Sequence, residues 1–375
     1  MNKIENLIQK LCPDGVEYKG LLDVVEILDN QRKPVSKGAR KQGQYPYYGA
    51  NGIQDYVDEY IFDGTYILMG EDGSVINKDK TPVLNYVSGK IWVNNHAHIL
   101  AERPGCLLRY VYYFLSTVDV SDLAHGTPPK LSKENIRSIE IPVPPMEIQC
   151  EIVKALDNFA ELTAELTAEL TVRKQQYEYY RNKLLDFGTP ENPQGGARWS
   201  SIKELAEVGT GSSNRSEAVS EGMYPFYVRS QKVETKNDFE FDEEAIIIPG
   251  EGGIGEVFHY ANGKYALHQR AYRIHFLSDK IYTKFAFYYF KAHFKEFILG
   301  EAVSATVTSI RKPMIENFPI PVPTSEKQKE IIQTLNEFED LTTNITQGLP
   351  AEIEVRQQQY EYYRNRLLTF KRKGE

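Results

Sequence analysis

Val172-Arg173-Lys174-Gln175-Gln176-Tyr177-Glu178-Tyr179-Tyr180-Arg181-Asn182-Lys183-Leu184-Leu185-Asp186-Phe187 is written a second time as Val355-Arg356-Gln357-Gln358-Gln359-Tyr360-Glu361-Tyr362-Tyr363-Arg364-Asn365-Arg366-Leu367-Leu368-Thr369-Phe370. The chain is a tandem duplication. Each copy closes a long amphipathic run. In the first, Ile148, Ile152, Leu156, Phe159, Leu162, Leu166, Leu170, Tyr177, Tyr180, Leu184 and Phe187 recur at steps of three or four, with a gap around Arg173. Ile331, Leu335, Phe338, Leu341, Ile345, Leu349, Ile353, Tyr360, Tyr363, Leu367 and Phe370 repeat the pattern. This is the stripe of a helix packed along one face. A helix from Glu147 to Phe187 is about 60 Å long at roughly 1.5 Å per residue. A helix of that length, apolar on one side, needs a partner, and its own copy is at hand. The expectation is an antiparallel helical pair holding the remaining sequence apart.

Outward from the helices, the chain reads as two matched globules. Ile141-Pro142-Val143-Pro144 and Ile320-Pro321-Val322-Pro323 must be extended, because each proline fixes its own φ and biases its predecessor away from the helix. They deliver the chain to Met146-Glu147 and Ser325-Glu326. Upstream, Tyr45-Pro46-Tyr47-Tyr48 matches Tyr224-Pro225-Phe226-Tyr227, and Phe62-Asp63 matches Phe241-Asp242. Gly70-Glu71-Asp72-Gly73 matches Gly250-Glu251-Gly252-Gly253, and Gly89-Lys90 matches Gly263-Lys264. Short β-branched and aromatic runs bounded by Gly and Asn predict strands, so each half is an α+β globule rich in turns. Tyr110–Leu115 and Phe285–Phe290 predict a helix buried against each sheet. Ile4, Leu7, Ile8 and Leu11 predict a short N-terminal helix that ends at Cys12-Pro13-Asp14-Gly15. It looks like the missing continuation of the C-terminal helix, which makes the layout close to circular.

Two departures from strict symmetry are visible. Ala160-Glu161-Leu162-Thr163 is followed by two further Ala-Glu-Leu-Thr units, ending at Thr171, whereas the corresponding stretch, Glu339 to Glu354, is four residues longer. One unit more or less changes a helix by about 6 Å and about 40°. Gly348-Leu349-Pro350 combines a helix stop with a helix start and predicts a break in the second helix.

Composition is that of an ordinary soluble protein of 375 residues, 26% charged and 41% apolar. Three cysteines, Cys12, Cys106 and Cys150, sit in no metal-ligand spacing, which fits a reduced chain. There is no signal-peptide core and no apolar run long enough to cross a bilayer, so the cytoplasm is expected. The net charge of -8 excludes a uniformly basic coat but leaves room for local basic patches.

Catalytic motifs are missing. Gly250-Glu251-Gly252-Gly253-Ile254-Gly255 lacks the Lys-Ser or Lys-Thr of a nucleotide loop and reads as a turn. Asp14, Glu17 and Lys19 are too tightly spaced for a nuclease metal site. Thr127-Pro128-Pro129-Lys130 and Val143-Pro144-Pro145-Met146 lack the flanks of an amino-methyltransferase motif. His96 and His98, two apart with no Cys nearby, read as alternating strand residues. No metal ligand and no catalytic residue is assigned.

What remains is suited to binding. Arg32, Lys33, Lys37, Arg40 and Lys41 cluster in one loop of the first globule. Asn214, Arg215, Arg229, Gln231, Lys232, His268, Gln269 and Arg270 occupy comparable loops of the second. Arg, Asn and Gln read base edges, while Lys and Arg hold phosphates. Each residue alone is as well explained as a solvated loop; the matched occurrence in duplicated globules favours a DNA surface. The tyrosine segments, Tyr177, Tyr179, Tyr180, Arg181 and Tyr360, Tyr362, Tyr363, Arg364, are nearly identical in globules that have otherwise diverged. They are expected to serve one shared partner twice, against the plainer reading of a packed helix face.

With these features together, the chain resembles the specificity subunit of a type I restriction-modification system almost end to end. The resemblance rests on Cys12-Pro13-Asp14-Gly15-Val16-Glu17-Tyr18, on the Ile-Pro-Val-Pro exits with Gln149 and Gln328 beyond them, on the Ala-Glu-Leu-Thr units and on the paired tyrosine segments. It departs at Gly348-Leu349-Pro350. It implies an N-terminal helical segment (1–19), target-recognition domains at 20–145 and 198–323, helical regions at 146–188 and 324–371, and a linker at 189–197. It further implies that the chain is non-catalytic and reads a split, asymmetric DNA sequence, with the helices fixing the gap. Two modification subunits would dock on the helical regions, bringing S-adenosylmethionine to methylate adenine N6, and restriction subunits would add ATP- and Mg2+-dependent translocation and cleavage. The rival reading is a coiled-coil scaffold whose globules bind protein without DNA; a self-contained methyltransferase or nuclease is disfavoured by the missing motifs.

Overall fold

The two proline-rich exits are extended, as their φ restraints require, and each is stitched into a two-stranded antiparallel ribbon. Tyr18–Gly20 pairs with Glu140–Pro142, and Arg198–Ser201 pairs with Pro319–Val322. The computed structural model describes residues 2–301, 309–343 and 348–374. It divides into two units, Met1–Leu166 with Ile353–Glu375, and Thr167–Glu352.

In the first unit the main sheet has six strands. Their order is Val25–Ile27, Ala97–Glu102, Phe62–Gly70, Leu84–Val93, Gln42–Gly49 and Gly52–Val57. The second unit repeats this as Ala206–Thr210, Ala271–Phe276, Phe241–Pro249, His259–Leu267, Tyr224–Tyr227 and Glu234–Lys236. All neighbours are antiparallel except the pair Gln42–Gly49 with Leu84–Val93 and its counterpart Tyr224–Tyr227 with His259–Leu267. Helices cover one face, as the aromatic runs predict. Leu108–Leu115 buries Tyr110 and Tyr113, and Thr283–Glu301 buries Phe285, Tyr288, Phe290 and Phe294. The α+β class read from the sequence is therefore the one found, twice.

The long helix of the first copy runs unbroken from Met146 to Leu184. Within the Ala-Glu-Leu-Thr repeats the threonine hydroxyls turn back on their own turn, Thr163 Oγ1 donating to the Phe159 carbonyl at 2.9 Å and Thr171 to Thr167 at 3.0 Å. In the second copy the run is two helices, Ser325–Thr343 and Leu349–Leu367, the latter starting at Leu349-Pro350 where the break is expected. Residues 344–347, and with them Ile345 of the apolar stripe, lie outside the described residues.

The helical pairing joins the start of one copy's helix to the end of the other's. In the first unit Ile148, Ile152 and Leu156 share a core with Leu367, Leu368 and Phe370. The Tyr18 hydroxyl, next to Pro142 in the ribbon, donates to the Phe370 carbonyl at 2.9 Å. Farther along, Phe159 stacks on Tyr363, so the two segments run antiparallel. In the second unit Leu185 and Phe187 share a core with Ile331 and Leu335, and Tyr180 stacks on Phe338.

The segment after the N-terminal helix meets the segment after the last helix. Val16 N–H donates to the Lys371 carbonyl at 2.8 Å, and Lys373 N–H returns a bond to Val16 at 3.0 Å. In the second unit the linker closes in the same place, with Gln194 N–H on the Phe187 carbonyl at 2.7 Å.

Candidate nucleic-acid interface

In each unit the central strand leads into a Gly-Glu pair: Phe62–Gly70 ends on its glycine, and Gly250 follows Phe241–Pro249. A Cβ at Gly70 would meet the Ala50 carbonyl at 3.1 Å and Val75 at the same distance, so the close approach favours glycine there. Glu71 is mostly buried and surrounded by cations. Arg32 Nη1 lies 2.5 Å from Glu71 Oε2, and Lys130 Nζ 3.2 Å from Oε1. Arg32 also donates to the carbonyls of Asp29 and Ala97, each at 2.9 Å.

Behind Glu71, the buried His98 places Nε2 2.8 Å from the Leu131 carbonyl, so that nitrogen carries a proton. Its Nδ1 is 2.6 Å from Asp29 Oδ2. Burial raises the Asp29 pKa, but the His98 hydrogen bond and charge, the Ile99 N–H and Arg32 together outweigh it and leave the carboxyl below its ordinary value. Asp29, Glu71 and His98 are close enough to hold a metal ion. The set does not fit one, because Arg32 already sits against both carboxylates and both histidine nitrogens are engaged. His96 stands apart, with Nδ1 on Asp72.

The loop cations of the first unit therefore split. Arg32 turns inward. Arg40 also turns inward, donating to the Val35 carbonyl at 3.0 Å, pairing with Asp55 at 3.3 Å and lying 4.1 Å over the Tyr47 ring. Lys33, Lys37 and Lys41 are exposed and form no ion pair among the described residues.

The second unit gathers more of its predicted set. Arg229 Nη1 and Arg270 Nη1 each lie 3.0 Å from Glu251 Oε2, the counterpart of Glu71. The buried His268 accepts the Arg270 N–H on Nδ1 at 2.9 Å. Burial lowers the His268 pKa, and Arg229, Arg270 and Arg215 lower it further. Arg215, Arg229, Glu251 and His268 line one cavity. Asn214, next to Arg215, accepts the Ser216 N–H on its side chain at 3.3 Å, whereas Lys232, 3.8 Å from Glu234, lines a separate cavity with Val219 and Glu221. Gln231 and Gln269 are exposed.

Each cluster thus sets exposed donors around a fixed carboxylate, Lys130 in the first unit and Arg229 with Arg270 in the second. That combination can hold phosphate oxygens, pair with guanine O6 and N7, and accept from cytosine N4.

The tyrosine segments divide by helix face. Tyr177 turns inward against Phe338, and burial, with Glu339 nearby, pushes its phenol up to about 12. Tyr360 packs on the core of the first unit. Tyr180 and Tyr363 stack on Phe338 and Phe159. Tyr179 and Tyr362 are 61% and 59% exposed, each set edge-on against the following tyrosine. Arg181 and Arg364 donate to the neighbouring Asn182 and Asn365. Of the predicted docking residues, Tyr179 and Tyr362 offer free aromatic surface, whereas Tyr177 and Tyr360 spend theirs on the protein itself.

The sequence matches the family model described as the type I restriction modification DNA specificity domain over residues 13–172 and again over 198–355. The chain belongs to that family. A putative type I restriction enzyme specificity subunit of Haemophilus influenzae is 33% identical, over 99% of this chain and all of that one. A type I restriction enzyme specificity subunit of Escherichia coli is also 33% identical, over 84% of this chain and 89% of its own length. Among solved structures, the S subunit of a type I restriction-modification system from M. genitalium matches with a TM-score of 0.66 at 14% identity, covering 94% of this chain and 96% of that one. At that identity the likeness speaks for the fold.

As a specificity subunit the chain is the DNA-recognising, non-catalytic component of such a system, and the scaffold alternative is not favoured. No helix among the described residues is long and apolar enough to cross a membrane. Glu71, Lys130 and Glu251 belong to the specificity subunit's site, and the loop pattern passes over them. The available signal is the matched Gly70-Glu71 and Gly250-Glu251, a carboxylate present in both copies within two residues of the strand's end.

Proposed function

We propose that each unit of this specificity subunit reads one half of a split, asymmetric DNA sequence through the loops gathered at Glu71 and at Glu251. The recognition domains are residues 20–145 and 198–323, and the helical regions 146–188 and 324–371 set the gap. Two modification subunits dock on the helical regions, with Tyr179 and Tyr362 as exposed anchors, and bring the S-adenosylmethionine that methylates adenine N6 in each half-site. Restriction subunits, where present, add ATP- and Mg2+-dependent translocation and cleavage. This chain holds no cofactor of its own, and the complex works in the cytoplasm.

The observation that supports this reading best is the repeated arrangement of cations on a glutamate at the end of the central strand in both units. Two different surroundings on one shared plan suit two different half-sites. The test is duplex binding by the chain in complex with its modification subunit, measured against salt. Binding that weakens steeply with salt, and that Arg270→Ala weakens about tenfold or more, supports the reading. A complex with the modification subunit that ignores DNA at every salt concentration returns the molecule to the protein scaffold.

A further inference from the structure

At the end of each sheet remote from Glu71 and Glu251, the two units carry the same small surface cluster. Tyr45 and Tyr60 lie 5.1 Å apart, centroid to centroid, at 60°. Tyr224 and Phe239, their counterparts, lie 5.0 Å apart at the same angle. Lys90 stands 4.6 Å over the Tyr60 ring, and Lys264 stands 4.6 Å over the Phe239 ring. Tyr60 and Phe239 are each 40% exposed. Both clusters are flanked by exposed carboxylates at matched positions, Glu59 with Asp238 and Asp63 with Asp242. Asp63 lies across the strand pair from Lys90, and Asp242 across from Lys264.

The reading loops of the two units have diverged, as half-sites of different sequence require. A feature held constant to a few tenths of an ångström serves something both units do alike. Distance and charge set it apart from the reading loops gathered at Glu71 and Glu251. Asp63 and Gly70 lie seven residues apart on the strand Phe62–Gly70, so the cluster sits about 23 Å from the Gly70-Glu71 corner at roughly 3.3 Å per residue. Asp58, Glu59 and Asp63 stand around Lys90, and Asp238, Glu240 and Asp242 stand around Lys264 with Lys236, which pairs with Asp238 at 3.2 Å, so carboxylates outnumber ammoniums in each patch and repel phosphate. An exposed aromatic ring with acidic flanks is complementary to a protein surface that presents an apolar side chain beside Lys or Arg.

We propose that the Tyr60–Lys90 and Phe239–Lys264 clusters are twin docking sites for two copies of one protein, the modification subunit, through a basic surface with an apolar centre. The inference rests on the reading that two modification subunits bind this chain.

The test is native mass spectrometry of the full chain co-expressed with the modification subunit, together with titration of the purified components. The wild-type chain carries two copies. The pair Glu59→Lys with Tyr60→Ser removes one copy or weakens its binding at least tenfold, and Asp238→Lys with Phe239→Ser does the same for the other. All four changes together act on both. Should either ring substitution lower the melting temperature, the charge reversals Glu59→Lys and Asp238→Lys are made alone, and a fivefold weakening is expected of them. A wild-type chain that carries two copies while the folded quadruple or charge-reversal variant binds them equally tightly overturns the twin sites and leaves the proposed function standing. A wild-type chain that binds none overturns both.

Discussion

The ring of Phe159 lies stacked on that of Tyr363, centroids 5.3 Å apart and 24° from coplanar, although 204 residues separate them. Phe338 and Tyr180, their duplicates in exchanged roles, stack at 5.6 Å and 27°. Each pair ties the start of one copy's helix to the tyrosine segment of the other. Replacing Phe159 with Ala is expected to destabilise the first unit by about 1–3 kcal/mol, the range for a half-buried aromatic with a stacked partner. Denaturant unfolding of Phe159→Ala, Tyr363→Ala and the double variant checks it. A coupling energy of about 1 kcal/mol is expected, and strict additivity contradicts the pairing.

The Ala-Glu-Leu-Thr units lie within one unbroken helix. Deleting Ala164–Thr167 removes about 6 Å and about 40° of helix without touching either globule. The deletion is expected to shorten the gap between the half-sites and leave both half-sites as they were, which sequencing of the methylated sites reports. Altered half-sites around an unchanged gap would count against the helix as a spacer.

Gln149 and Gln328 hold the helix starts. The fully buried Gln149 amide accepts the Leu107 N–H at 2.9 Å and donates to the carbonyls of Pro144 at 2.8 Å and Gly105 at 3.2 Å. Gln328 does the same with Tyr282, Pro323 and Lys280. Leu at either position strands three backbone groups, at about 1–3 kcal/mol for each that water does not reach. A loss of at least about 2 kcal/mol is expected in urea unfolding, against near-silence for an exposed control such as Gln231→Leu.

Asp29 gives the first unit an acid-sensitive link. Burial opposes its charge, yet His98, Ile99 and Arg32 hold its folded pKa below the ordinary 3.8. A carboxyl depressed by folding adds stability that is fully present above its unfolded pKa and is lost as pH falls through its folded one. The first unit is therefore expected to lose stability below about pH 4. Asp29→Asn should flatten that part of the profile while lowering stability at neutral pH. Wild type and variant falling in parallel below pH 4 would assign the acid response to other groups.

Much of this architecture is legible in residues alone. The doubled tyrosine segment announces the duplication, the Ile-Pro-Val-Pro exits fix extended backbone by steric restraint, and Gly348-Leu349-Pro350 marks where a new helix starts. Local rules suffice there. The interface is less legible because its partners are distant in sequence. Arg32 finds Glu71 39 residues away, and nothing in the loop around Arg32 separates an arginine that reaches solvent from one that reaches a carboxylate. The tyrosines lie between these cases. The apolar period already includes Tyr177 and Tyr360 and omits Tyr179 and Tyr362, so the inward and outward faces are written in the spacing. That each segment packs with the other copy's helix start is not, since duplicated sequences fit either partner equally well.

The most direct test co-expresses this chain with its modification subunit in a methylation-free bacterial host and maps methyladenine across the genome by single-molecule sequencing. One split motif with a methylated adenine in each half is expected, and exchange of residues 198–319 for those of a relative should change one half alone. No new methylation, with the modification subunit soluble and bound to this chain, would contradict it.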